Sequence, residues 1–217
     1  MVVLTPRASE RIVGASGLLF VIGALVGFGV LVGSVPGPSA ETDEVSEFLA
    51  RSDVRVLTGG YVGVLAQLAF LVFAAGLWGI LRVAEGGNGW VSTLGLAAVV
   101  AATATVLAGD VVPGAAAFRS GSTVDPATTA LLLEEKKLAE VVTVPLFGLF
   151  LASVAIVALR VAALPRWLGW SAAVIASLSI VAVPLGYEPS QIPVFLTVLW
   201  IVALSGRLLA RPLGSAH

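Results

Sequence analysis

The sequence lacks the residues on which several common protein chemistries depend. It contains no cysteine, and its single histidine, His217, is the last residue. The absence of cysteine excludes disulfides, iron–sulfur clusters and cysteine zinc sites. Without a histidine inside the chain, haem held by paired histidines, His-based triads and internal histidine metal sites are excluded as well. We therefore expect no metal, no cofactor and no enzymatic activity.

Charged residues are also scarce. They make up 12% of the chain against 58% hydrophobic residues, and the mean hydropathy is +1.04. Soluble domains are nearer half apolar and a quarter charged, so this composition is typical of a protein surrounded by lipid. The formal net charge of -1 gives no basic field for nucleic acid. We expect a lipid bilayer as the main partner and no nucleic acid.

Six long apolar runs fill most of the sequence. A bilayer core about 30 Å thick needs about 20 helical residues to cross it, and backbone groups at that depth must be satisfied within the helix. The predicted helices are 12–35, 56–83, 90–112, 141–163, 167–185 and 192–209. We expect an all-α bundle of six transmembrane helices that forms one domain over residues 1–217.

The charged residues between the runs predict an orientation. Basic residues favour the cytoplasmic side of a membrane, and tryptophans favour its interfaces. The termini and the two short connections carry seven arginines, namely Arg7, Arg11, Arg82, Arg160, Arg166, Arg207 and Arg211. Trp78, Trp90, Trp167 and Trp170 lie at the same boundary. We predict that both termini are cytoplasmic and that the protein is a multi-pass protein of the inner (plasma) membrane.

The two longer connections, on the predicted outer side, carry most of the carboxylates and have helical features. Val45, Phe48 and Leu49 are spaced as on one face of a short amphipathic helix. Asp125-Pro126 is typical of a helix start, since Asp favours the N-cap and Pro the first helical position. We expect a helix from Pro126 that runs through residues 131–137 into the fourth span.

A few polar residues lie within or beside the spans at the outer level. They are Tyr61, Gln67, Asp110, Glu140, Tyr187, Glu188 and Gln191. If their helix faces converge, they line an outward-open pocket with an acidic rim, which suits a cation or an amine. The alternative is that the carboxylates are interfacial groups in water, paired with Lys136, Lys137 or Arg119. The neighbours of both lysines favour exposure to water.

Small residues recur at a spacing of four. The glycine pairs are Gly23/Gly27, Gly29/Gly33 and Gly59/Gly63, and the third span carries Ala97, Ala101, Ala104 and Ala108. This spacing lets two helix backbones approach closely. It is consistent with a homo-oligomer interface or, more simply, with packing inside one six-helix bundle.

Three segments resemble a broad group of six-helix bacterial membrane proteins with no assigned activity, common in high-GC actinobacteria. They are residues 11–20, residues 55–61 and the corner Leu164-Pro-Arg-Trp-Leu-Gly169. The resemblance implies the same fold and carries no site residues. In size and helix number the chain is also similar to the substrate-binding subunits of energy-coupling-factor vitamin transporters, without a shared motif.

These observations predict a non-enzymatic integral membrane protein. The first hypothesis is a structural, accessory or interaction subunit whose acidic outer surface contacts a membrane protein partner. The alternative is a small-molecule or cation binding or transport protein that uses the outer polar pocket. A third, an intramembrane enzyme using carboxylate chemistry, is the weakest. A closed bundle favours the first, and a cavity of several hundred Å³ with convergent polar groups favours the second.

Overall fold

The computed structural model describes residues 6–32, 53–118 and 126–210. These ranges contain six α-helices, one π-helical segment and one 3-10 turn. The α-helices are α1 (Pro6–Ala24), α2 (Asp53–Glu85), α3 (Trp90–Phe118), α4 (Pro126–Val161), α5 (Arg166–Ala182) and α6 (Tyr187–Ala210). Helix α1 continues as a π-helix over Leu25–Val32, and Val183–Leu185 form the 3-10 turn between α5 and α6.

All six helices are long and apolar enough to cross a membrane, which confirms the predicted all-α transmembrane class. Helix α4 begins at Pro126, as expected, and runs unbroken for 36 residues. Helix α6 begins at Tyr187, five residues before the predicted start. The early start was missed because Glu188 and Gln191 lower the local hydropathy without interrupting the helix. The predicted amphipathic helix at residues 45–49 lies outside the described residues.

The helices form a closed ring in chain order. Each packs against its sequence neighbours, α6 closes the ring on α1, and α4 also contacts α2 and α6. The short connections at residues 86–89 and 162–165 lie at one end of the bundle, here called the turn end. The opposite end, where α3 finishes and α4 and α6 begin, is called the cavity end.

Aromatic side chains fill the centre of the ring. The Phe70 ring lies 4.7 Å from that of Phe20 and 5.7 Å from that of Phe147, between ring centroids. Phe150 meets Trp200 edge-on at 6.4 Å. The Trp200 indole N–H, the one polar atom of that ring, donates to the Leu168 carbonyl at 3.0 Å. Such pairs add to the stability gained from burying large apolar surfaces.

Two of the glycine pairs, Gly23/Gly27 and Gly59/Gly63, lie where α1 and its π-helical continuation pack against α2, whereas an added Cβ at Gly29 would meet no atom within 4 Å. An added Cβ at Gly23 would lie 2.9 Å from the Ala66 Cβ, and one at Gly27 would lie 2.9 Å from the Gly59 carbonyl oxygen. These contacts agree with packing inside one chain. The alanines of α3 behave differently, because Ala97, Ala101, Ala104 and Ala108 are all exposed. The expectation that they pack against another helix of the bundle is therefore wrong, and Gly33 lies outside the described residues.

The turn between α2 and α3 is held by a side chain. Glu85 accepts hydrogen bonds from the Val91 amide at 3.0 Å and from the Ser92 amide at 2.9 Å. It also accepts from the Ser92 hydroxyl at 2.5 Å. Amides in the first turn of a helix have no partner within the helix. Glu85 supplies partners for two of them and fixes the start of α3.

Candidate functional site

A cavity of about 590 Å³ lies at the cavity end of the bundle. Five of the six helices contribute to its wall, and α5 does not. Its inner part is apolar, with Phe20, Phe147, Val198 and Ile201 among the lining residues. Glu188 lines it too and is exposed, so the cavity reaches the protein surface at this end. The volume falls within the range typical of small-molecule sites.

A chain of polar contacts crosses one wall of the cavity and joins three helices. The Lys136 ammonium on α4 donates to Asp110 Oδ1 on α3 at 2.9 Å and to Glu140 Oε1 at 2.7 Å. The Tyr187 hydroxyl on α6 donates to the other Glu140 oxygen, Oε2, at 2.8 Å. The side chains of Lys136 and Asp110 are only 10% and 8% exposed. Both oxygens of Glu140 are therefore bonded, whereas only one oxygen of Asp110 is bonded by a residue that the structure describes.

Local sequence explains this arrangement. Lys136 and Glu140 are four residues apart on α4, a spacing that places both on one helix face. Gly109 precedes Asp110, and an added Cβ there would lie 3.1 Å from the Ala139 Cβ and 3.7 Å from the Lys136 Cα. The missing side chain at Gly109 thus lets α3 approach α4 closely enough for Asp110 to reach the ammonium.

Two acceptor atoms in the cavity wall have no hydrogen-bond partner among the described residues. They are Asp110 Oδ2 and Gln67 Oε1, and both atoms are buried. Gln67 as a whole is 6% exposed. A buried polar atom without a partner costs about 1–3 kcal/mol, and native proteins contain few of them. Two such atoms belong to side chains that line the same cavity.

Two hydroxyl groups in the wall already donate hydrogen bonds to their own helices. The Thr143 hydroxyl donates to the Glu140 carbonyl at 2.6 Å, and that of Thr197 donates to the Pro193 carbonyl at 2.7 Å. Because their hydroxyl groups are bonded to the backbone, both threonines contribute mainly apolar methyl surface to the cavity. The Lys137 ammonium lies 5.3 Å from the centre of the Tyr187 ring, within range of a cation–π contact.

Six of the seven residues predicted from the sequence line this cavity. They are Gln67, Asp110, Glu140, Tyr187, Glu188 and Gln191. Tyr61 does not line it, and this side chain is 66% exposed. Whether any of the seven binds a ligand remains a prediction.

Lys136 was missed as a member of the site, and the expectation that it faces water is wrong. The residue is 8% exposed and holds two carboxylates. The alternative that the carboxylates are paired with a lysine is met for Asp110 and Glu140, although the Lys136 and Asp110 side chains are buried and do not face water. The four-residue spacing from Lys136 to Glu140 is the sequence signal that points to it. Arg119, the other basic candidate, lies outside the described residues.

Among the described helices, no three acidic or histidine side chains come close enough together to hold a metal ion. Three carboxylates and two ammonium groups line the cavity, from Asp110, Glu140, Glu188, Lys136 and Lys137. No protein-family model, curated protein or solved structure matches the chain.

Proposed function

We propose that this integral membrane protein binds a small organic molecule in the cavity at the cavity end of the bundle, as a binding or transport protein. The carrying observation is a cavity of about 590 Å³ whose wall contains two buried acceptors without partners among the described residues. Ligand sites in proteins are of this size and combine an apolar lining with a few placed polar groups. The proposed route of entry is from the outer side of the membrane.

A purely structural role does not explain why the bundle contains this cavity. A bundle selected only for stability is expected to fill its interior, because each unfilled volume and each unsatisfied polar atom lowers stability. The acidic segment proposed to contact a partner protein includes Glu41, Asp43, Glu44 and Glu47, which lie outside the described residues. The accessory role is therefore the competing outcome of the experiment below.

The proposal is tested by blocking the cavity. Val198 lines the cavity, whereas Val202, one turn further along α6, does not and is 38% exposed. Wild type, Val198→Trp and Val202→Trp are purified in mild detergent, and the co-purifying small molecules are identified by mass spectrometry. We expect one compound at near-equal amounts with wild type and Val202→Trp, and its loss with Val198→Trp.

Two results oppose the proposal. One is that wild type carries no compound other than bulk lipid and detergent. The other is that Val198→Trp retains the same compound at the wild-type amount while melting at the same temperature. Recovery of a stoichiometric protein partner together with either result favours the accessory-subunit role.

A further inference from the structure

The two buried acceptors in the cavity wall restrict the chemistry of any ligand. Asp110 Oδ2 and Gln67 Oε1 can only accept hydrogen bonds, and neither receives one from a described residue. Their side chains line one cavity, so one molecule bound there lies beside both. That molecule must bring donors, N–H or O–H, because a second acceptor placed there would leave both atoms unsatisfied.

Charge distinguishes the two acceptors. Asp110 is a carboxylate, and Lys136 is shared between it and Glu140. Lys137, the second ammonium group in the wall, lies over the Tyr187 ring. The three carboxylates and two ammonium groups that line the cavity therefore leave one negative charge in excess. A ligand with a single positive charge balances the site, whereas an anion adds to the excess.

The two acceptors lie at different depths. Asp110 is the end residue of the apolar span of α3 and accepts a hydrogen bond from Lys136, near the start of the apolar span of α4. Gln67 is one helical turn from Phe70, which packs against Phe20 and Phe147 at the inner part of the cavity. Apolar side chains, including Val194 and Val198, line the same cavity. This arrangement fits a molecule with a cation at one end, an apolar chain and a second donor deeper in the bundle.

We infer that the cavity takes an aliphatic ammonium compound that carries one positive charge and a second hydrogen-bond donor, such as an amino alcohol. Its ammonium group donates to Asp110 Oδ2, its second donor bonds Gln67 Oε1, and its methylene groups lie against the apolar wall. This inference rests on the proposed function and specifies the class of ligand for the same site.

The test compares simple probes on the purified full chain. Binding is measured by titration calorimetry with amino alcohols of three to six carbons and with butylamine, which lacks the second donor. Butane-1,4-diol, which lacks the charge, and 4-hydroxybutanoate, which reverses it, complete the set. We expect the best amino alcohol to bind about tenfold more tightly than butylamine, the factor that one added hydrogen bond provides. The diol and the anion bind more weakly than either.

Two variants test separately the proposed ligand contacts with Gln67 and with Asp110. Gln67→Met removes the acceptor with little change in volume, and we expect it to abolish the preference for the amino alcohol over butylamine. Asp110→Asn removes the charge and weakens both amines alike. The preference measured on the wild-type protein is itself decisive, so the test does not depend on either variant folding.

The outcomes separate this inference from the proposed function. Tighter binding of the diol or the anion than of every amine overturns the inference and leaves a small-molecule site in place. An amino alcohol preference that survives Gln67→Met overturns the assignment of Gln67. If no probe binds and the gently purified protein carries no compound, the inference and the proposed function both fail.

Discussion

The Lys136 ammonium lies 2.9 Å from Asp110 Oδ1 and so ties the beginning of the apolar span of α4 to the end of the apolar span of α3. The two residues are 26 positions apart in the sequence and are joined by a connection that includes residues 119–125. Both side chains are about nine-tenths buried. The ion pair therefore joins two helices of the cavity wall and keeps the Asp110 carboxylate within that wall.

Replacing Lys136 with methionine is expected to destabilise the bundle by about 3 kcal/mol, because Asp110 and Glu140 lose a shared cation while they stay largely buried. Thermal unfolding in mild detergent measures the change. Lys137→Met is the matched control, since the Lys137 ammonium lies over the Tyr187 ring and forms no ion pair with a described residue. Equal melting temperatures for the two variants would show that the ion pair contributes little.

Close packing of α1 against α2 and α6 is tested at a glycine. An added methyl group at Gly17 overlaps the Ser205 hydroxyl and the Phe73 ring. We expect Gly17→Ala to destabilise the protein by about 1–3 kcal/mol through overpacking. Gly60→Ala is the control, because an added Cβ there meets no atom within 4 Å and alanine is the better helix former. A Gly17→Ala melting temperature equal to or above that of Gly60→Ala contradicts the packing.

The predicted orientation is open to a labelling experiment, because the chain contains no cysteine. Asn88 lies in the exposed turn between α2 and α3, and Leu185 is 67% exposed between α5 and α6. With cytoplasmic termini, a membrane-impermeant maleimide labels Leu185→Cys on intact cells and labels Asn88→Cys only after permeabilisation. The reverse pattern would show that the cavity opens toward the cytoplasm.

Sequence patterns predicted the helices well because each transmembrane segment must have the length and apolar composition needed to cross a bilayer, and both can be read from the sequence. The ends of the apolar segments also predicted how deep in the bundle each polar residue lies. They did not predict which way each side chain points. Tyr61 and Gln67 lie six residues apart, which places them about 120° apart around α2. Only Gln67 faces the cavity.

The sequence did not show which side of each helix faces the protein interior, because lipid and protein core are both apolar. A soluble helix shows its buried face as an apolar stripe, whereas in a membrane helix Val, Ala and Leu suit either side. The exposed alanines of α3, such as Ala101, and the buried Ala102 beside them illustrate this. The sequence around Lys136 did not show that this residue is buried, because its burial depends on Gly109 and Asp110 of another helix.

The most direct measurement is the reactivity of a thiol placed inside the cavity. Thr197 lines the cavity and is 4% exposed, whereas Ser179 is 1% exposed on α5 and does not line it. The two variants, Thr197→Cys and Ser179→Cys, are treated with a cationic methanethiosulfonate reagent and with an anionic one of similar size. We predict that Thr197→Cys reacts at least about tenfold faster than Ser179→Cys, and faster with the cationic reagent, given the site's excess negative charge. Equal and negligible rates for the two variants would contradict a ligand-accessible cavity in this protein.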